Sequence, residues 1–213
     1  MTKAEIEIVK NVENDIRELF SGEFSGHDVL HTLRVVKNAR MLNADNAGDD
    51  FIVTLSALLH DADDRKLFPE TAEKNGNARK ILEKYCVSKE NTDRIIDIIN
   101  SVSFSSGKIP CSIEGKIVQD ADRLDAIGAV GIARCFSFGG NHSRPIYEEG
   151  DFSGEGSGDS SIAHFYNKLL KLEGLMNTGK GREEAEKRTA FLKNYLEHFK
   201  EETDITSLLD LYI

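Results

Sequence analysis

The chain has 213 residues and a mass of 23.7 kDa; 39% are hydrophobic and 30% charged, enough apolar material for a core, which excludes wholesale disorder. Its net charge of −10 and pI near 5.1 make it a poor candidate for a non-specific nucleic-acid binder. No run approaches the ~20 apolar residues of a transmembrane helix. The N-terminus is charged from its third residue and the cysteines (Cys86, Cys111, Cys135) are scattered and odd in number, so a cytoplasmic protein without a disulfide framework is expected.

The hydrophobic period is helical almost throughout, so an all-α fold is predicted. Ile6, Val9, Ile16 and Leu19–Phe20 share one face of a first helix. Ser25-Gly26 offers the start of a second, with Leu30, Leu33, Val36 and Ala39 apolar and an end near Asn43–Asn46. A third spans about Asp50 to His60; Asn75–Tyr85 and Asn91–Val102 read as two more. Ser112 is placed to cap Ile113–Gln119, and Asp122–Phe138 reads as a helix interrupted by Gly128 and Gly131. Ser161–Met176, Arg182–Phe199 and a short tail after Asp204 complete the chain. Between them, Asn141–Ser160 carries clustered glycines and is expected to be a long flexible loop; loops of that length inside a domain are usually functional or disordered. The helices on both sides are alike in kind, so one domain is expected over 1–213.

Two histidines fall inside apolar helices. His31 shares a face with Val35, Ala39 and Leu42, and His60 follows Ala57-Leu58-Leu59. Each alone reads as a hydrogen-bonded core histidine. His60, however, is followed by Asp61, Asp63 and Asp64, carboxylates that repel one another and call for a cation or a proton. Gln119-Asp120-Ala121-Asp122-Arg123-Leu124-Asp125 repeats the pattern. Capping and solvation would account for either acidic cluster alone; together with inward-facing imidazoles they fit a buried site of mixed nitrogen and oxygen ligands, without the thiolates of a structural zinc site.

The stretches H27-D28-V29-L30-H31-T32-L33-R34-V35, A57-L58-L59-H60-D61 and V118-Q119-D120-A121-D122-R123-L124-D125-A126-I127-G128-A129 resemble the ordered His … His-Asp … Asp signature of the HD-domain phosphohydrolases. The segment H164-F165-Y166-N167-K168-L169-L170 is similar to the small bacterial branch that includes nucleotide pyrophosphohydrolases. The resemblance spans roughly residues 15–200. It implies a single-domain helical bundle with core motifs over 27–125, a glycine-rich loop over 141–160 and C-terminal helices over 161–213.

The resemblance also implies His31, His60, Asp61 and Asp122 as ligands of one divalent ion, with Asp120 as the alternative to Asp122. Manganese is the first choice, with Mg, Fe, Ni, Zn or Co as alternatives. Asp64 is expected to activate water, with Asp63 as competitor. Arg65, Lys66, Arg123, Arg144, His164 and Lys168 are candidates for substrate phosphates. His27 is another, with helix capping as its alternative, and Arg34 is expected to pair with Asp28. The implied activity is hydrolysis of a nucleotide, most specifically of a (deoxy)nucleoside triphosphate with release of pyrophosphate. The alternatives are a phosphodiesterase or 5′-nucleotidase of the same fold, or a catalytically silent metal- or nucleotide-binding module. The expected partner is a small nucleotide or phosphoester, with neither nucleic acid nor membrane; a homodimer is compatible with apolar positions in the C-terminal helices.

Overall fold

The computed structural model describes residues 1–22, 28–45, 47–102, 108–152 and 158–203. Among them the chain forms α-helices and short 3₁₀ turns with no strand. The α-helices are α1 (Lys3–Leu19), α2 (Val29–Leu42), α3 (Asp50–Leu59), α4 (Gly76–Lys84), α5 (Lys89–Val102), α6 (Ile113–Asp125), α7 (Gly128–Asn141), α8 (Ser161–Asn167) and α9 (Gly179–Thr203). None of the described helices is long and apolar enough to cross a membrane.

Side-chain caps set several of the starts. Thr2 and Glu5 form a reciprocal capping box at α1, with Thr2 Oγ1 accepting from Glu5 N–H at 3.3 Å and Glu5 Oε2 accepting from Thr2 N–H at 2.7 Å. The start expected at Ser25-Gly26 falls outside the described residues; α2 is capped by Asp28, whose Oδ1 accepts the His31 N–H at 2.7 Å. Asp49 caps α3 through the N–H groups of Phe51 and Ile52. Every residue of α3 from Phe51 to Leu59 is buried. A helix buried on every side belongs in the centre of a core, and α3 packs against α1, α2, α5 and α6.

The chain divides into two compact units: Met1–Asp125 with Met176–Arg182, and Ala126–Leu175 with Glu183–Ile213. In the first unit α2 lies against both α3 and α6, which brings together the helices bearing the sequence-predicted histidines and aspartates. The two helices expected over Ile113–Gln119 and Asp122–Phe138 are divided elsewhere. One helix continues to Asp125, and the break comes at Ala126–Ile127 before Gly128 at φ +79°. A Cβ on Gly131 would run into the Ala126 carbonyl oxygen, so the chain doubles back there only with a glycine.

In the second unit Phe136, Phe165, Tyr195 and Phe199 pack as an aromatic cluster with ring centroids 5.8–6.2 Å apart. The expected helix Ser161–Met176 ends early, because Lys168 leaves helical geometry (φ −133°, ψ −59°) and 3₁₀ turns follow at Leu169–Lys171 and Glu173–Leu175. The loop expected to be flexible is tied down at its described ends. Ser161 N–H donates to Pro145 O (2.9 Å), Ile162 N–H to Ile146 O (3.0 Å), and Asp151 Oδ2 accepts from Glu148 N–H (2.7 Å) and Ser160 Oγ–H (2.5 Å). Residues 153–157 lie outside the described residues. The tail after Asp204 does as well.

Candidate metal centre

His31 comes from the first turn of α2, His60 from the C-terminal end of α3, Asp61 from the residue after it, and Asp122 from the last turn of α6. The Nε2 atoms of the two imidazoles are 3.3 Å apart. Asp61 Oδ2 lies 3.3 Å from His60 Nε2 and 3.4 Å from His31 Nε2. Asp122 Oδ1 lies 3.5 Å from His31 Nε2 and 3.9 Å from His60 Nε2. Donor atoms bound at about 2.0–2.2 Å to one ion sit roughly 3.0–3.6 Å from one another in octahedral or tetrahedral arrangements, which is close to this spacing. His31, His60 and Asp122 each offer a ligand atom within 4.8 Å of the others.

The hydrogen bonds behind these atoms leave the right lone pairs in front. His60 Nδ1–H donates to Ala57 O at 2.9 Å, which directs its Nε2 lone pair at the cluster. His31 Nδ1 is 2.8 Å from Asp125 Oδ2. The histidine side chains are 2% and 3% exposed, whereas Asp61 is 16% and Asp122 28% exposed, so the donor set opens on its carboxylate side. Burial by itself would lower the His60 pKa, but the charge and hydrogen bond of Asp61, then Asp122 and the Ala57 carbonyl, push it up to about 9. The chemistry of the donor set therefore fits a divalent cation: nitrogen and carboxylate oxygen only, with negative charge converging on one point.

The aspartates around this cluster divide by position. Asp120 is not available as a ligand. It is fully buried, and its oxygens accept Asn177 N–H (2.8 and 3.1 Å), Asn177 Nδ2–H (2.9 Å), Thr178 N–H (2.8 Å) and Thr178 Oγ1–H (2.8 Å). Two residues along a helix is a turn of about 200°, so Asp120 faces away from Asp122. Asp63, expected to compete for the water-activating role, is instead a helix cap: its two oxygens accept Asn77 N–H and Ala78 N–H, both at 2.9 Å, at the start of α4. Asp64 stays half-buried one turn past Asp61, its Oδ1 accepting the Lys66 N–H at 2.9 Å.

Arg34 pairs with Asp125 rather than Asp28, because Asp28 caps α2: Nε is 2.7 Å from Asp125 Oδ1 and Nη2 3.1 Å from Oδ2. Burial lowers the Arg34 pKa, but the bond and charge of Asp125, with Asp28 adding to the field, raise it overall. The sequence motif sets Asp125 one turn beyond Asp122 but assigns it no role. The signal was there in the i, i+3 spacings of Asp122 to Asp125 and of His31 to Arg34, which put each pair on one helix face.

Among the substrate-binding candidates, Arg65 and Lys66 are exposed. Arg123 is half-buried, and burial lowers its pKa against the pull of Asp120 and Asp122. In the second unit Arg144 stacks over the Phe138 ring, whose centroid is 5.7 Å away. Burial, then the charges of Lys168 and Arg144, push the His164 pKa down to about 4, so His164 is neutral at pH 7. Burial also pushes the nearby Cys135 thiol up to about 11. His27 lies outside the described residues.

Comparison with known proteins gives a consistent set of relatives. The HD domain model matches residues 29–127. The protein YpgQ of Bacillus subtilis is 40% identical over 203 residues, covering 93% of this chain and 95% of its own. The crystal structure of YpgQ in complex with ADP has a TM-score of 0.80 at 37% identity, with 95% of this chain and 98% of that one covered. A crystal structure of an HD-superfamily hydrolase from Bacillus thuringiensis has a TM-score of 0.78 at 36% identity, with 95% and 100% covered.

Proposed function

The chain belongs to the HD domain family, and from that premise we propose that it is a divalent-metal-dependent phosphohydrolase acting on nucleotides, cleaving a nucleoside triphosphate with release of pyrophosphate. The observation that carries this reading is the convergence of His31 Nε2, His60 Nε2, Asp61 Oδ2 and Asp122 Oδ1 from three helices, at separations of 3.3–3.9 Å. The ADP bound by the Bacillus subtilis relative supports a nucleotide as substrate class.

In this reading His31, His60, Asp61 and Asp122 hold the ion, manganese being the first choice. Such an ion, when bound, supplies Lewis acidity to a phosphoryl group and acidifies water. Asp61 and Asp122 also set the orientation of the open side. Asp64, one turn beyond Asp61, takes up the proton of the attacking water. Arg65, Lys66 and Arg123 are the cationic donors of the first unit assigned to the leaving phosphates. His27, Arg144, His164 and Lys168 are assigned to nucleotide phosphates on the resemblance alone.

The test is a panel of nucleotides and phosphoesters incubated with several divalent ions, products being identified by mass. Pyrophosphate together with a nucleoside monophosphate is the expected outcome. A nucleoside with inorganic phosphate would instead make the protein a 5′-nucleotidase, and tight metal binding with no product would make it a binding module. His60→Ala and Asp61→Ala are expected to abolish metal retention and hydrolysis together while the helices stay folded.

A further inference from the structure

Asp125 is 2% exposed and sits in the last turn of α6, where His31 and Arg34 of α2 hold its carboxylate. Its Oδ1 accepts from Arg34 Nε (2.7 Å), and its Oδ2 faces both Arg34 Nη2 (3.1 Å) and His31 Nδ1 (2.8 Å). A guanidinium has only donors to offer, so a carboxylate held by it at both oxygens presents lone pairs, not a proton, to the imidazole. His31 Nδ1 is then the donor, and its lone pair is at Nε2, the atom that faces His60, Asp61 and Asp122. The opposite tautomer would set the Nδ1 lone pair against a buried carboxylate.

The brace is built from one turn of helix. Arg34 follows His31 by three residues, so ring and guanidinium project from the same face and grip one carboxylate. The His31 backbone is fixed as well, by the Asp28 cap at 2.7 Å. Arg34 is 32% exposed and forms the outer wall of this contact, whereas Asp125 is closed off from solvent.

We infer that Asp125, braced by Arg34, is a positioning residue that locks His31 as its Nδ1–H tautomer and thereby presents Nε2 to the metal ion. The inference rests on the metal-centre reading above and deepens it: ion affinity depends on a carboxylate that does not touch the ion. Partners of this kind behind a metal-bound histidine change metal affinity by 10- to 100-fold when removed.

The test uses zinc, which is diamagnetic, as the probe ion. Affinity is measured by chelator competition, and the ring nitrogen that carries hydrogen is read from long-range proton–nitrogen spectra of the ¹⁵N-histidine-labelled full chain. The wild type is expected to show His31 with Nδ1–H and zinc at Nε2. Asp125→Asn is expected to lose zinc affinity by roughly 10- to 100-fold with its helices intact. Arg34→Gln, on a partly exposed residue and so tolerant of change, is expected to lose about 3- to 10-fold, and it keeps the test open if Asp125→Asn does not fold. Zinc at Nδ1 of His31, or affinities within twofold of wild type in both variants, would overturn the inference. A merely structural Asp125 would lower the chelator-treated melting temperature and leave affinity unchanged. His60→Ala serves as the independent control: if it binds zinc as the wild type does, the metal-centre reading itself fails, and this inference falls with it.

Discussion

Asp120 and Asp122 stand two residues apart, and the structure separates them into a fastening and a donor. In Asp120→Asn one carboxylate oxygen becomes an NH2 group that can only donate. Whichever way the amide turns, it faces at least one backbone donor, since Asn177 N–H bonds to both oxygens and Thr178 N–H to Oδ2. Replacing Oδ2 also removes the acceptor of Thr178 Oγ1–H, and replacing Oδ1 that of Asn177 Nδ2–H. Two hydrogen bonds to a charged group are lost, which sums to about 3–6 kcal/mol at 1.5–3 kcal/mol per charged bond. Against a typical total of about 5–15 kcal/mol this is a large fraction. Urea unfolding followed by circular dichroism in excess chelator measures it. Asp120→Asn should shift the midpoint by that amount at unchanged slope, yet bind manganese like the wild type below its transition. Asp122→Asn should do the reverse, keeping its stability within about 1 kcal/mol of wild type, as surface-open substitutions do, while losing the ion. Wild-type stability in Asp120→Asn, or loss of manganese in that variant while it is still folded, would refute the assignment.

Asp64→Asn keeps the Oδ1 acceptor that holds the Lys66 N–H, so the turn should persist. Turnover is expected to fall by roughly 10²–10⁴-fold with manganese affinity within about twofold of wild type. Asp63→Ala should uncap α4, cost about 1–2 kcal/mol, and leave turnover per folded molecule near normal; the reverse ranking in parallel rate and melting measurements would return the base role to Asp63. For pH, His60 titrates in the metal-free fold at about 9, above its ordinary value of 6.5. The folded state then holds this proton more tightly than the unfolded chain, so the stabilisation is complete below about 6.5 and is lost as pH rises through about 9. Chelator-treated protein should lose on the order of 2–4 kcal/mol across that window, whereas the stabilisation gained from added manganese should grow, because ion and proton compete for the same nitrogen. Urea midpoints at pH 6 and at about pH 9.5, with and without the ion, check both signs; parallel flat profiles would show that His60 carries no such proton.

Much of the first unit was legible because helical period and burial say the same thing. His31 shares its face with Val35, Ala39 and Leu42, all three buried, and the run Phe51–Leu59, apolar but for Thr54 and Ser56, reads directly as a central helix. The aspartates were not legible in the same way. Asp63 is a cap because Asn77 and Ala78 arrive 14 and 15 residues later, and Asp120 is a fastening because Asn177 arrives 57 residues later. A short carboxylate takes its role from whichever donors the tertiary fold delivers, and local spacing does not contain them. The helix break at Ala126–Ile127 was misplaced for a related reason. Asp120 and Asp122 looked like cap residues, but both lie within α6, and the break is set by the glycines that follow.

Helix α6 carries Asp120, Asp122 and Asp125 on three bearings, fixed only by its rotation of about 100° per residue. Deleting one residue between Ile113 and Val118 would leave composition and helix propensity almost untouched, yet it would swing all three carboxylates out of phase at once. Asp120 would take the bearing of Gln119, Asp122 that of Ala121 and Asp125 that of Leu124, so that all three carboxylates would face positions the fold keeps buried for other side chains. Insertions and deletions along this stretch should therefore be far less tolerated than point substitutions, and a library that permits length change there would return almost exclusively chains of the original length.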